Sequence, residues 1–299
     1  MKLPDLDELL GLRGAARSAG LRVRGAARAQ WLGGHRGAHR GRGLEFEEVR
    51  PYVAGDDSRS IDWRVTARRG RLHTKLFREE RERPVWLLVD LQPGMFFGSR
   101  RQLKSALAVR ASALLAWAAS AAGDRVGAVV ANGAELRCHP PRAREAGILP
   151  VLRSLVELQP RAPSAPRSET LGEMLRTALP LVHPGSLVLA ISDFSGAGEE
   201  IDPHWLTLGA HAECRLYWIT DALEEQGLPD GRFRGGVPGR VRSLDGAAAR
   251  SLWADAWRTR VRRVQAIAER LQGRPLRLDT GERVEETLPP LLRAAPFAA

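Results

Sequence analysis

The sequence predicts an α/β protein with a mostly parallel central sheet and helices on both of its faces, preceded by a small N-terminal charged α+β module. From about residue 84 onward, apolar runs of strand length alternate with runs of helix length, with few breaks. Such alternation is typical of a parallel sheet covered by helices. A dense set of opposite charges at 43–83 precedes the first apolar run and predicts the module.

The first of three predicted zones, residues 1–43, is a basic helix followed by a Gly/Arg-rich connector. Helical spacing runs from Leu6 to Trp31 with a break near Gly20, and the sequence GGHRGAHRGRG begins two residues after Trp31. A basic arm that contacts nucleic acid or an acidic partner is one interpretation. The other is a solvated helix that leads into a connector, which is the more common use of such a charge run.

The second zone, residues 44–83, is the charged module. We expect an extended segment at Arg50–Val53, a turn at 55–57, a short helix at Ser58–Arg68 with Asp56 or Asp57 as its N-cap, and a strand at Leu72–Phe77. The residues assigned to its ion pairs and cap are Arg50, Tyr52, Asp56, Asp57, Arg59, Asp62, Trp63 and Arg68. A metal held by the three aspartates is the alternative, less favoured because arginines stand beside them.

The third zone, residues 84–299, carries the main sheet and a C-terminal helical extension. The predicted strands are Val85–Asp90, Arg125–Ala131, Glu135–His139, Ser186–Ser192 and Glu213–Ile219. The predicted helices are Arg101–Ala122, Ala143–Leu158, Thr170–Val182 and one around Trp205. After Asp221 the pattern weakens, and we expect a Gly-rich loop at 224–240, a strand at 240–244 and a basic outer helix at Leu252–Leu271.

Composition narrows the function classes. A net charge of +11 and a pI near 11 point to nucleic acid, acidic proteins or anionic membrane surfaces as partners. However, every basic residue is Arg except Lys2, Lys75 and Lys104, a bias that GC-rich coding also produces. Cys138 and Cys214 form no metal-binding spacing, which fits a reducing compartment.

Targeting signals and common catalytic motifs are not found in the sequence. The first twelve residues are acidic where a secretory leader is basic, and no apolar run reaches the length of a membrane span. We therefore expect a cytoplasmic protein, with peripheral membrane contact still open. There is no GxxxxGK[ST] loop, no GxGxxG after a strand and no GxSxG elbow, which argues against those three kinds of catalysis.

Three oxygen-bearing side chains are expected at one edge of the sheet. Asp90 and Asp193 each follow an apolar strand, and Thr170 opens a helix after a long loop. Open α/β sheets bind ligands outside the carboxyl ends of their strands. Carboxylate and hydroxyl oxygens are ligands that Mg²⁺ accepts, so this edge is the candidate metal site.

The run EFEEVRPYVAGDDSRSIDWRVTAR, followed by a strand, DLQPGM, a GDRVG turn and ISDF, resembles the domain of unknown function 58 family over about residues 35–220. The resemblance implies a von Willebrand factor A-like domain with no known catalytic activity. It also implies a role as partner or adaptor of a MoxR-type AAA+ ATPase that remodels or activates client proteins. The GDDSRSIDW block is its most specific part.

The same resemblance implies a degenerate metal-ion-dependent adhesion site. The fold's first motif is DxSxS, and this chain has Asp90-Leu91-Gln92-Pro93-Gly94, so both serines are missing. Gln92 offers an amide oxygen, Thr170 matches the threonine and Asp193 matches the last carboxylate. Losing two hydroxyls weakens a site for Mg²⁺, which is the only cofactor that these residues suggest.

A non-enzymatic adaptor is the favoured function on these grounds. We expect Asp90, Met95, Thr170 and Asp193 to form a docking rim, and the basic arm to contact an acidic partner. A nucleic-acid-binding protein is the first alternative, because of the charge. A divalent-metal-dependent hydrolase is the second, although no His precedes the two aspartates at a useful spacing.

Overall fold

A computed structural model describes residues 2–18, 44–53, 56, 58–79, 82–164, 170–196, 202–237 and 239–294. The chain forms two compact units, the larger from residues 1–29 and 83–299 and the smaller from residues 30–82. The smaller unit is therefore an insertion in the larger one. This differs from the three zones predicted along the sequence, because the N-terminal helix belongs to the unit that carries the main sheet.

The smaller unit is a two-stranded hairpin with one helix. Strands β1 (Leu44–Pro51) and β2 (His73–Glu79) pair antiparallel, and a 3₁₀ turn and helix α2 (Trp63–Arg69) lie between them in sequence. The Asp62 carboxylate caps α2 by accepting from the backbone N–H groups of Arg64 and Val65. The expected cap at Asp56 is wrong, since Asp56 instead pairs with Arg50, and Asp57 lies outside the described residues.

The larger unit alternates strands and helices. Its elements are α1 (Leu6–Ser18), β3 (Pro84–Asp90), α3 (Lys104–Ala121), β4 (Arg125–Ala131), β5 (Leu136–Ala143), α4 (Glu145–Leu158), α5 (Thr170–Ala178), β6 (Leu187–Ser192), α6 (His204–His211), β7 (Glu213–Thr220), α7 (Ala222–Gln226), β8 (Arg232–Val237), β9 (Arg240–Asp245), α8 (Gly246–Arg270), β10 (Leu276–Asp279) and α9 (Val284–Ala294). The predicted α/β class with a mostly parallel sheet is confirmed.

Six strands form the central sheet in the order β10-β7-β6-β3-β4-β5. The first five are parallel, and only β5 runs antiparallel, at the edge beside β4. Strands β3 and β6 lie side by side in the middle and are almost wholly buried, which explains their unbroken apolar sequences. Their carboxyl ends therefore meet in the centre of one sheet edge.

Helices cover both faces of this sheet because alternate side chains of each strand point to opposite faces. On one face, Leu87 and Val89 pack with buried residues of α1, α3, α4 and α9. On the other, Trp86 and Leu88 pack with buried residues of α5, α6 and α8. Helix α1 is held there by Leu9, whose carbonyl accepts a hydrogen bond from the indole N–H of Trp117.

Several elements differ from the sequence predictions. The expected loop at 224–240 contains the end of α7 and strand β8, which pairs antiparallel with β9. Strand β10 and helix α9 were not predicted. The expected helix to Trp31 ends at Ser18 as far as it is described, and the Gly/Arg-rich connector lies outside the described residues. Among the helices that the structure describes, none combines the length and apolarity that crossing a bilayer requires.

Candidate functional site

The carboxyl edge of the sheet collects acidic side chains from three neighbouring strands. Asp90 is the last residue of β3, Asp193 directly follows β6, and Asp221 directly follows β7. Because these strands are parallel and adjacent, the three residues come to the same edge. The sequence placed two of the three here, and Asp221 is the third.

Asp90 is buried, with 1% of its surface exposed. One carboxylate oxygen accepts from the backbone N–H of Gln92 at 3.0 Å, and the other accepts from the Ser192 hydroxyl at 2.7 Å. Burial, followed by the neighbouring negative charge of Asp193, raises the pKa of Asp90 to about 7. The fold therefore favours the protonated, uncharged form of Asp90.

Asp193 is buried as well but is held in its ionised form. Its Oδ2 accepts from the Lys104 ammonium at 2.5 Å, and its Oδ1 accepts from the backbone N–H of Ser195 at 2.9 Å and from the Gln92 amide at 3.3 Å. Burial alone would raise the pKa of Asp193, but the positive charges of Lys104 and Arg260 bring it down to about 2. Two adjacent carboxyl groups are therefore shifted in opposite directions, since the pKa of Asp90 is raised and that of Asp193 is lowered.

The turn after β6 is strained. Phe194 has a φ of 53°, in the left-handed region that non-glycine residues seldom adopt. Its side chain is fully buried and its ring lies 6.5 Å from that of Trp205, while its N–H donates to the Ser192 hydroxyl at 2.8 Å. This packing and this hydrogen bond hold the turn that directly follows Asp193.

Lys104 begins helix α3 and is only 2% exposed. Its ammonium donates to Asp193 and, at 2.8 Å, to Glu224 Oε1, which also accepts from Arg260 at 2.6 Å. Burial alone would lower the pKa of Lys104, but the two carboxylates raise it above its usual value. A chain of alternating charges, Asp193, Lys104, Glu224 and Arg260, thus crosses this edge, buried at its first two members and partly exposed at its last two.

Asp221 connects the loop after β3 to the residue that follows the edge strand β10. Its carboxylate accepts from the N–H and hydroxyl of Ser99, at 2.7 and 2.5 Å, and from the Thr280 hydroxyl at 2.5 Å. It also forms a capping box with Glu224 at the start of α7. Asp221 is therefore a structural connection between the ends of β3, β7 and β10.

Two buried polar atoms at the predicted site have no hydrogen-bond partner among the residues that the structure describes. The Gln92 amide nitrogen donates to Asp193 and to the Ser195 hydroxyl, but its Oε1 is buried and accepts no hydrogen bond within the described ranges. Thr170 is buried at the start of α5, and its hydroxyl also has no partner among the residues described. The structure brings Asp90, Gln92 and Asp193 together by hydrogen bonds and shows no such bond from Thr170.

The residues of the predicted docking rim do not lie on the protein surface. Asp90, Met95, Thr170 and Asp193 are all buried, and Met95 packs in the apolar cluster beneath the edge. The 3₁₀ turn at Pro93–Met95 follows β3 closely in sequence and places Met95 in the interior. A partner that approached this edge would meet exposed residues such as Ser99 and Arg100 instead.

The residues that the sequence proposes as metal ligands do not fit a divalent cation in this arrangement. Both Asp90 oxygens accept hydrogen bonds, and Asp193 is bound directly by an ammonium group. Gln92 turns its amide nitrogen, a donor, toward Asp193. Over the described ranges, His, Cys, Asp and Glu side chains form no group of three suited to a metal.

Sequence reasoning missed Lys104, Glu224 and Arg260 as members of this site. Glu224 and Arg260 lie far along the chain from the strand ends and carried no recognisable spacing. Lys104 offered one signal, because it is the only lysine among the predicted elements of the main sheet in a chain whose basic residues are otherwise nearly all Arg.

The smaller unit is held by its own ion pair and cap. The Arg50 guanidinium pairs with Asp56 at 2.7 Å, and Asp56 also accepts from the backbone N–H of Val53. Trp63 begins α2 and is 68% exposed, and Arg68 is exposed in the last turn. Tyr52 is half-buried, whereas Asp57 and the side chain of Arg59 lie outside what the structure describes.

Comparison with known proteins gives a family and relatives of unknown function. Residues 48–263 match the family described as Protein of unknown function DUF58. Uncharacterised proteins of Mycobacterium tuberculosis and Mycobacterium bovis are 36% identical over 164 residues, which is 55% of this chain and 51% of theirs. The chain thus spans about half the length of these curated relatives. A conserved hypothetical protein, BatB from Bacteroides thetaiotaomicron, aligns with a TM-score of 0.42 and 14% identity, covering 71% of this chain and all of that one.

Proposed function

This chain belongs to the DUF58 family, and on that premise we propose that it is a non-enzymatic protein-interaction adaptor whose partner is a MoxR-type AAA+ ATPase. In this role it presents client proteins to the ATPase for remodelling, maturation or a stress response. The proposal locates the protein in the cytoplasm, where an ATP-driven partner has its nucleotide. It requires an exposed surface built for contact with another protein.

The exposed Trp63 is the observation that carries the proposal. Burying a Trp side chain removes some 150–250 Å² of mainly apolar surface from water, so leaving it at 68% exposure forgoes a large stabilisation. Trp is also among the residues most enriched at the centres of protein interfaces. A solvated Trp inside the family's signature block is well suited to anchor a partner.

Two further apolar side chains of the smaller unit are exposed, Val53 and Leu72. They come from separate segments that backbone hydrogen bonds hold near Trp63. The N–H of Tyr52, just before Val53, donates to the Leu72 carbonyl at 2.9 Å, and the N–H of Asp62 donates to the His73 carbonyl at 2.8 Å. We call Val53, Trp63 and Leu72 the apolar patch.

The buried charges at the carboxyl edge of the sheet support a role without catalysis. A general base must reach the substrate proton, either directly or through one water. Asp90 and Asp193 are both buried and take part in hydrogen bonds, and Lys104 is enclosed between two carboxylates. The charged groups at this edge therefore stabilise the fold. A binding function would then depend on exposed residues elsewhere.

A binding measurement with matched variants tests the proposal. The purified MoxR-type ATPase of the same organism is immobilised, and the dissociation constants of wild type, Trp63→Ala and Leu252→Ala are measured. Leu252 is the control because it is an apolar side chain of α8 that is 74% exposed, outside the patch. We expect Trp63→Ala to weaken binding by about 30-fold, equivalent to about 2 kcal/mol, and Leu252→Ala to leave it unchanged.

Two outcomes would count against this proposal, the first against the partner and the second against the contact surface. If wild type does not bind the ATPase, the partner is wrong. If it binds and Trp63→Ala binds equally well, the apolar patch is not the contact surface. Circular dichroism of each variant checks that the loss does not come from unfolding of the smaller unit.

Nucleic-acid binding is the second candidate, and exposed arginines of the β8–β9 hairpin favour it. Arg232, Arg234 and Arg242 are all exposed there. Binding to phosphates would weaken steeply with salt, because each neutralised phosphate releases condensed counterions. A gel-shift titration from low to moderate salt separates the two functions. The hydrolase alternative receives less support, since the two carboxylates that it would use as ligands are already engaged.

A further inference from the structure

The position of Lys104 is unfavourable on two counts. Its ammonium is buried, which costs the solvation of a full charge. It also begins an 18-residue helix, whose N-terminus carries a partial positive charge that repels cations. A lysine is stable in such a place only if nearby negative charge compensates both effects.

Two carboxylates supply that compensation from different parts of the chain. Asp193 follows β6 and Glu224 lies in α7, and an oxygen of each lies within 3 Å of the Lys104 ammonium, at 2.5 and 2.8 Å. Both side chains are largely buried, and Arg260 neutralises Glu224 from a third element. The ammonium is thus the centre toward which oxygens from separate elements converge.

We propose that the Lys104 ammonium is the resident cation of this edge and occupies the position that a divalent ion would take between Asp193 and Glu224. Removing the ammonium therefore opens a site for a hard divalent cation. With Lys104 in place, such an ion meets a positive charge at hydrogen-bonding distance from both carboxylates. The site is closed to metal by a side chain of the protein itself.

Further observations show that oxygen ligands remain available once the ammonium is gone. Two carboxylate oxygens that both contact one small cation need only a modest movement to coordinate a divalent ion, whose bonds to oxygen are about 2.0–2.6 Å long. The Gln92 amide nitrogen donates to Asp193, and the Oε1 of the same amide is buried and accepts no hydrogen bond from the described residues. A half-turn of this amide would direct Oε1 toward Asp193, where it can serve as a neutral third ligand. This inference is independent of the adaptor proposal.

Titration with Mn²⁺ tests the inference, because electron paramagnetic resonance measures the free aqueous ion directly. The full chain is compared as wild type, Lys104→Ala and Lys104→Ala/Asp193→Asn. We expect no binding by wild type below about 1 mM and one Mn²⁺ bound by Lys104→Ala at least tenfold more tightly, because carboxylate ligands suit Mn²⁺. The second substitution should abolish the gain. Lys2→Ala is the control, since it frees the carboxylate of an exposed pair, Lys2 with Asp5.

Two results would overturn the inference. The first is wild-type binding of Mn²⁺ that Asp193→Asn alone removes, because the site would then hold a metal with the ammonium present. The second is a folded Lys104→Ala that gains no affinity for Mn²⁺. Should Lys104→Ala not fold, Lys104→Ser takes its place, since Ser is favoured near a helix N-terminus and its short side chain also leaves the position of the ammonium empty. The wild-type titration needs no variant at all.

Discussion

Replacing Asp90 with Asn removes a carboxyl group whose ionisation the fold opposes. Asp90 is buried, its pKa is raised from 3.8 to about 7, and the first cause is the loss of solvation on burial. Asn has nearly the same shape. Its oxygen can accept from the Gln92 N–H and its NH₂ group can donate to the Ser192 hydroxyl, so both existing contacts are kept.

The pH dependence follows from the two pKa values. Between about pH 4 and pH 7 the folded protein retains a proton on Asp90 that the unfolded chain releases. The proton therefore stabilises wild type fully below about pH 4, and this stability is lost as the pH rises through about 7. At 1.36 kcal/mol per pH unit, the interval from 3.8 to about 7 corresponds to about 4 kcal/mol.

Asn does not titrate. The free energy of unfolding of Asp90→Asn should therefore rise relative to that of wild type as the pH increases over this range, and the difference should become constant above about pH 8. Urea unfolding followed by circular dichroism at several values from pH 5 to pH 9 gives the free energies. Asp230→Asn is the control, because Asp230 is exposed and its pair with Arg250 lies on the surface. A difference between Asp90→Asn and wild type that stays flat from pH 5 to pH 8 would refute the reasoning.

Further variants test packing and capping. Gly147→Ala places a Cβ 2.1 Å from the Arg142 carbonyl oxygen, so we expect a loss of about 3 kcal/mol in urea unfolding. Gly11→Ala has no atom within 4 Å of its Cβ and should instead gain up to about 1 kcal/mol, and equal effects would contradict the packing argument. In the smaller unit, Asp62→Ala should lower the free energy of unfolding by about 1 kcal/mol and speed hydrogen exchange at the Arg64 amide. Unchanged exchange would show that the Asp62 cap does not stabilise α2.

The central strands could be predicted from the sequence because burial on both faces leaves a simple signal. Val85–Val89 and Leu187–Ile191 are unbroken apolar runs, and each ends one residue before its strand does. Strand β10 gave no comparable signal, since it has four residues at the edge of the sheet and only Leu278 is buried among them. The β8–β9 hairpin was not predicted, because Gly235 and Gly236 interrupt the alternation of polar and apolar residues in β8.

At the site, the sequence located carboxylates correctly but not their surroundings. Strand polarity alone brings Asp90 and Asp193 to one edge. Whether a side chain there is exposed depends on how the loop at 91–103 folds over the strand ends, and no periodicity encodes that. The partners of Lys104 are 89 and 120 residues away along the chain, so only the fold brings them to its ammonium.

The smaller unit is inserted between α1 and β3, so it is joined to the larger unit by two covalent connections instead of one. A pulling force on it would load both connections. At one end the load reaches β3, which is hydrogen-bonded to β4 and β6 along its length. At the other it reaches α1, a helix held mainly by side-chain packing around Leu9 and by the Glu8–Arg110 ion pair. Mechanical failure should therefore begin at α1, which would peel away while the sheet remained intact.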